Sequence, residues 1–247
     1  MSAVREELHA LVFDVFGTLV DWRAGVARDA APFLKRHGGR TGGGAADAHA
    51  FADAWRRRYV PSMREVIDGR RPFTRLDILH RENLLAVLPE FGIDPQSVSA
   101  GALDALNLAW HRLDTWPDVA PALARLHERF VLAPLSNGSI RLLVDLARRN
   151  AMPWDAILGA EIARTYKPAP EAYLRSVEAL DLRPQQVCMV AAHNADLAAA
   201  RRCGLRTALV LRPTEHGPRQ TGDLVASADW DFVAPDLGRL AELLLAD

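Results

Sequence analysis

Residues 11–21 read LVFDVFGTLVD, an apolar run that stops at a carboxylate and a Gly-Thr turn. From His9 to Phe13 the residues are mostly branched or aromatic, the composition of a strand buried on both faces. Gly17 supplies the backbone freedom for a sharp exit. Asp14 therefore falls near the C-terminal end of a buried parallel strand. Open α/β sheets bind ligands outside those ends, so the position suits a nucleophile. A lone Asp after a strand also serves as a turn or capping residue, and the rest of the chain decides between the two.

Asp14, Gly17 and Thr18 resemble the first motif of the haloacid dehalogenase superfamily, an Asp nucleophile followed three and four positions later by Gly and Thr. The family's phosphatases carry a second Asp two residues after the first, which acts as general acid and lends its carbonyl to magnesium. Phe16 stands there in this chain. An aromatic ring cannot shuttle a proton to a leaving alkoxide, so the resemblance is to the type II, or L-2-haloacid dehalogenase, branch. It implies that Thr18 orients Asp14 and that Phe16 borders the substrate.

A second apolar run, residues 132–135, leads into Ser136-Asn137-Gly138. Ser and Asn are good caps, so this is in part an ordinary strand-to-helix turn. The resemblance adds an anion site in which Ser136 and amides at the following helix N-terminus hold a substrate carboxylate, with Asn137 beside the leaving group. The third segment is Tyr166-Lys167-Pro168-Ala169-Pro170-Glu171-Ala172-Tyr173. Its prolines exclude a regular helix until about residue 170. Lys-Pro with a Tyr six positions after the Lys is the dehalogenase pattern, which implies that Lys167 pairs with Asp14 and that Tyr173 lines the site.

The fourth segment, residues 187–196, reads VCMVAAHNAD. Family phosphatases end this strand with two Asp four apart that complete a magnesium site. Asp196 is present, but the earlier position is Ala192. Phe16 and Ala192 remove the general acid and one carboxylate ligand, and hard cations depend on oxygen ligands; the expectation is an enzyme with neither metal nor cofactor. The family's dehalogenases carry Ser-Ser-Asn where this chain has Ala191, Ala192 and His193. His193 either replaces the Asn as a hydrogen-bonding partner or acts as a base, since an imidazole titrates near pH ~6.5.

Between the first motif and Trp116-Pro117 the periodicity is helical, for example over residues 54–67, 76–91 and 103–113. This reads as an inserted helical cap over residues 21–115, with a core made of residues 1–20 and 116–247. Within the cap, residues 38–46 read as a low-complexity loop. Trp55-Arg56 resembles the pair on a cap helix from which family dehalogenases supply a halide-receiving arginine. Arg57 and Arg58 follow directly, and helix positions point about 100° apart, so one of the three faces the core. Arg56 is the choice; a solvated basic face is the alternative.

The remaining segments complete a doubly wound, mostly parallel α/β sheet with a Rossmann-type core. Residues 207–211 give a further apolar strand after a helix at 196–202 and a Gly204 stop, and residues 231–233 a short edge strand before a terminal helix. With 247 residues and 49% hydrophobic content, the chain can bury a sizeable core. A net charge of −1 gives no support for nucleic-acid or anionic-membrane binding. Two cysteines suit a reduced cytoplasm, and no targeting run, spanning stretch or internal repeat is visible.

The resemblance implies hydrolysis of short 2-haloalkanoic acids to 2-hydroxy acids through an ester on Asp14, by a homodimer. Two alternatives are a magnesium-dependent phosphatase of small metabolites and a quiet member that binds a small carboxylate or a protein.

Overall fold

The computed structural model describes residues 2–38 and 45–246; most of the loop read at residues 38–46 lies outside them. The chain forms two compact units, Met1–Asp21 with Thr115–Asp247, and Trp22–Asp114.

In the first unit α1 (Ser2–Glu7) leads into β1 (Ala10–Phe13). The second unit contributes α2 (Trp22–His37), α3 (Ala45–Arg57), α4 (Tyr59–Ile67), α5 (Leu76–Val87) and α6 (Ala100–Asn107). The first unit resumes with α7 (Val119–Leu126), β2 (Val131–Pro134), α8 (Ile140–Asn150), α9 (Ala160–Ala163), α10 (Pro170–Glu178), β3 (Val187–Ala191), α11 (Asn194–Arg202), β4 (Arg206–Val210), β5 (Phe232–Ala234) and α12 (Leu237–Leu245).

The five strands form one parallel sheet in the order β2-β1-β3-β4-β5. Alternation along the strands divides the sheet's side chains between two faces. Ala10, Val12, Val187, Met189, Ala191 and Leu209 join Tyr173 and Val177 of α10 and Leu197 and Ala200 of α11 in one apolar cluster. Leu11, Phe13, Cys188 and Val190 point the other way and are equally buried. Burial on both faces explains why these strands read as continuous apolar runs. Pro134 lacks an N–H and is tolerated because β2 is an edge strand.

The order reverses at β1, with β2 on one side and β3 on the other. Such a switch point opens a crevice at the strands' C-terminal ends, where β1 delivers Asp14 and β3 delivers Ala192 and His193. Ser139 caps α8 by accepting from the Leu142 amide at 3.3 Å, and Gly204, at φ +86°, stops the chain after α11.

The second unit is helical, with two differences from the periodicity. Residues 54–67 do not form one helix: the chain breaks at Arg58 and restarts as α4. Pro61 explains the break, because it cannot donate within a continuing helix but fits a first turn. The segments at 76–91 and 103–113 each tighten into a 3₁₀ turn, at Leu88–Phe91 and Leu108–His111. Trp22, Phe51, Trp55 and Trp110 fill this unit's interior, with the Trp55 and Trp110 rings edge to face at 5.5 Å. No helix among the described residues is long and apolar enough to cross a membrane.

Candidate active site

Asp14 continues the β1 ladder by one bond, its amide donating to the Val190 carbonyl at 3.0 Å. The chain then turns on Gly17, at φ +90°, whose amide meets the Val20 carbonyl at 3.0 Å. This turn brings the Thr18 hydroxyl back to donate to Asp14 Oδ2 at 2.7 Å. The same oxygen of Thr18 accepts from the Ala192 amide at 2.9 Å, tying the first motif to the end of β3.

Lys167 approaches from the loop before α10. Its Nζ donates to Asp14 Oδ1 at 2.9 Å and also to Asp196 Oδ2. Asp196 is held on its other oxygen by the Tyr173 hydroxyl. Burial alone would raise the Asp14 carboxyl, but Lys167 first, then His193 and Thr18, hold it well below the usual carboxylate range. Burial likewise opposes the Lys167 charge, and the two carboxylates outweigh it. The result is an ionised, oriented, largely desolvated carboxylate at a sheet crevice, the state a nucleophile requires.

His193 lies on the opposite side of Asp14. Its Nδ1 is 3.3 Å from Asp14 Oδ2 and its Nε2 is 2.9 Å from Glu215 Oε2. Two ionised carboxylates are acceptors only, so the ring satisfies both only when both nitrogens carry protons. Burial disfavours that charge, but the hydrogen bonds and charges of Asp14 and Glu215 raise His193 well above its ordinary value. His80 in the second unit is the opposite case: its ring is 1% exposed and burial holds it down at about 3. Nitrogen-15 spectra at pH 7.5 are expected to show His193 doubly protonated and His80 neutral. A His193 that titrates at or below pH ~6.5 would contradict this charge arrangement.

The other residues singled out in the sequence fall as follows. Phe16 is buried and packs toward the Gly138 turn, its ring 3.4 Å from where a Gly138 Cβ would stand. Asn137 clamps the Lys167 backbone, accepting from its amide at 2.7 Å and donating to its carbonyl at 3.4 Å. Ser136 is buried and its Oγ accepts from the Gly138 amide at 3.1 Å. At the α8 N-terminus Glu161 takes the Ile140 amide at 2.9 Å and Ser139 takes that of Leu142. Tyr173 bonds Asp196 and so orders the carboxylate cluster itself.

Within the second unit, the three consecutive arginines are distinguished by packing. Arg58 pairs with Glu90 at 2.7 Å, and Arg57 reaches the same carboxylate at 3.9 Å. The Arg56 guanidinium instead lies 3.9 Å over the Tyr59 ring and 5.4 Å from that of Trp22.

Two residues carry no signal in the motifs. Glu215, 1% exposed, holds His193 and packs so tightly on Gly17 that a Cβ there would stand 2.1 Å from its Oε1. Arg212 donates to the Thr18 carbonyl at 2.9 Å and to Asp118 at 2.9 Å. Both follow β4, and the one available clue was that parallel strands deliver their following loops to the same sheet end.

The protein belongs to the haloacid dehalogenase-like hydrolases, whose family model matches residues 8–204. Its place there is in the L-2-haloacid dehalogenase branch. The crystal structure of a defluorinating L-2-haloacid dehalogenase is similar with a TM-score of 0.92 and 49% identity, covering 96% of this chain and 95% of that one. The (S)-2-haloacid dehalogenase 4A of Burkholderia cepacia is 28% identical over 212 residues, 84% of each chain. A phosphoglycolate phosphatase of Vibrio cholerae is 24% identical over 245 residues, 97% of this chain and 98% of that one.

Proposed function

We propose that this protein hydrolyses short 2-haloalkanoic acids to 2-hydroxy acids through an ester on Asp14. The observation that carries the reading is the buried Asp14 carboxylate, ionised between Lys167 and Thr18, with Phe16 and Ala192 where a phosphatase needs a proton donor and a second carboxylate. Asp14 attacks Cα opposite the carbon–halogen bond, releasing halide with inversion. Ser136 and the turn after it hold the substrate carboxylate, beside Phe16. Asn137 receives the halide, and the inserted unit Trp22–Asp114 is the cap whose Arg56 matches the halide-receiving arginine of the family resemblance. A water near Asp196, Lys167 and His193 then attacks the Asp14 carbonyl.

We propose further that the reaction is metal-independent. The Lys167 ammonium already bridges Asp14 and Asp196, which supports this reading because a divalent ion would have to share those oxygens with it. The family-based expectations of a cytoplasmic homodimer and of L-enantiomer preference belong to the same proposal.

The test is halide release from L- and D-2-chloropropionate, chloroacetate and fluoroacetate in EDTA, beside a magnesium-supplemented phosphatase assay. Halide release from the L-acid, unchanged by EDTA, is the expected result. Magnesium-dependent phosphate release without halide would establish the phosphatase reading, and saturable carboxylate binding without turnover the non-catalytic one.

A further inference from the structure

Asp14 has a partner on each side, and the two sides are chemically unequal. On one side, both Asp196 oxygens are engaged, by Lys167 Nζ and by the Tyr173 hydroxyl. Each Asp196 oxygen thus already accepts a hydrogen bond from a neighbouring side chain, which competes with a water for the same acceptor. On the other side stands His193, braced on a buried carboxylate that the family motifs did not mark.

We propose that His193 and Glu215 are the proton-accepting pair of the second half-reaction, with His193 the general base for ester hydrolysis and Glu215 the residue that positions and polarises it. This inference rests on the dehalogenase reading and adds the group that removes the water's proton.

The geometry sets the order of events. In the resting protein His193 is shared by Asp14 and Glu215, and it is charged. Alkylation converts Asp14 from an anion into a neutral ester, so the ring loses one of its two carboxylates and releases the Nδ1 proton to solvent. Glu215 keeps the Nε2 proton in place, which leaves the Nδ1 lone pair directed at the ester, as base-orienting carboxylates do.

Water then adds to Asp14 Cγ, giving one proton to Nδ1. The Cγ–O bond to the substrate breaks, and the departing 2-oxyacid alkoxide takes the water's second proton. The products are the 2-hydroxy acid, the Asp14 carboxylate and the His193 imidazolium, which is the resting state again. Each turnover thus releases one halide and one proton.

Glu215 is fixed for this task. It packs against Gly17 and lies 3.5 Å from His216 Nε2. The titratable groups around the ring are Asp14 after β1, Glu215 and His216 after β4, and Lys167 and Asp196 beyond Asp14. Arg212 bonds the Thr18 carbonyl, and Asp223 accepts from the adjacent Asn194 amide.

The experiment is rapid-quench kinetics with L-2-chloropropionate on wild type, Glu215→Gln and His193→Gln, following first-turnover halide and the mass of the Asp14 peptide. Glu215→Gln retains an acceptor for Nε2–H and removes only the charge. In both variants the formation of the ester is expected to slow far less than its hydrolysis, because His193 touches Asp14 in the resting protein but acts as a base only on the ester. Ester hydrolysis is then expected to slow about 10²- to 10³-fold, the range for losing a general base, with Asp14 found as its ester. In wild type, ester hydrolysis rises with pH as His193 deprotonates; in Glu215→Gln that limb moves to lower pH by about one unit, because the anion favouring the imidazolium is gone.

Unchanged ester hydrolysis in His193→Gln, or an unmoved limb in Glu215→Gln, overturns the inference alone. So does equal loss of the first-turnover burst, since the pair would then act on Asp14 before the ester exists. A wild-type protein that releases no halide overturns the dehalogenase reading and the inference with it.

Discussion

Asp14→Asn is expected to release no halide above about one part in 10⁴ of the wild-type rate, in keeping with the loss of a covalent nucleophile. The substitution keeps the side chain's shape. Its amide oxygen can still accept from Lys167 Nζ, now 2.9 Å from Oδ1, and Thr18 can rotate its hydroxyl to accept instead of donate. Lys167 also remains paired with Asp196 and His193 with Glu215, the His193 Nδ1 giving up its proton to accept from the new amide, so no charge is stranded and the fold survives. Halide is measured by ion chromatography, with intact mass confirming that the introduced amide has not hydrolysed back to the acid. Halide release above a hundredth of wild type by the intact amide would exclude the aspartyl ester. Labelled water gives an independent reading. If water attacks Asp14 Cγ, a single turnover leaves the label on Asp14; direct attack on Cα puts it in the product.

Lys167→Met is expected to have the largest effect on stability. Lys167 is 7% exposed in its side chain and lies between two carboxylates each 10% exposed. Removing one partner of a buried ion pair costs about 3–5 kcal/mol, because the remaining charge keeps its desolvation penalty. For a chain of this size that lowers Tm by about 10 °C.

The pH dependence follows from the signs. Asp14 is held below its ordinary value of 3.8, so its contribution is present above about pH 4 and lost only as pH falls through the lower folded value. Lys167 is held above 10.5, so its contribution is present below that and lost as pH rises through the higher folded value. The contribution of the Asp14–Lys167 pair is therefore level between about pH 5 and 10, while that of His193, held well above 6.5, is fully present below about pH 6.5 and lost as pH rises through its higher folded value. In Lys167→Met the buried Asp14 loses the largest of the influences holding it down, so burial moves it upward relative to wild type, and an acid moved upward favours the folded state as pH falls. The Tm deficit should be smaller at pH 5 than at pH 8, by differential scanning calorimetry. A deficit independent of pH would mean that the loss is one of packing and not of charge.

Much of the cluster around Asp14 was legible in the sequence. Asp14, Gly17, Thr18, Lys167 and Asp196 lie in short segments whose order matches a known motif set, and apolar runs ending in polar residues locate the strand ends. The strands were legible to within a residue, since burial on both faces leaves an unbroken apolar signal. The helical unit was less so. Its period is right, but Pro61 divides one expected helix into α3 and α4, and the 3₁₀ turns at Leu88–Phe91 and Leu108–His111 keep enough of the same period to hide the change.

What the sequence by itself determined is which residues stand at strand ends, because that depends on local apolar patterning and on glycine at one turn. What only the tertiary structure decided is which of them share a proton or a charge. Glu215 lies 22 positions from His193 and carries no motif, yet the parallel sheet brings the loop after β4 to the loop after β3. The same holds for Arg56, one of three consecutive arginines until packing on Tyr59 separates it from the two that meet Glu90. Hydrogen bonds and ion pairs act over a few ångströms of space, and the spacing along the chain that a sequence records says nothing of that distance until the chain has folded.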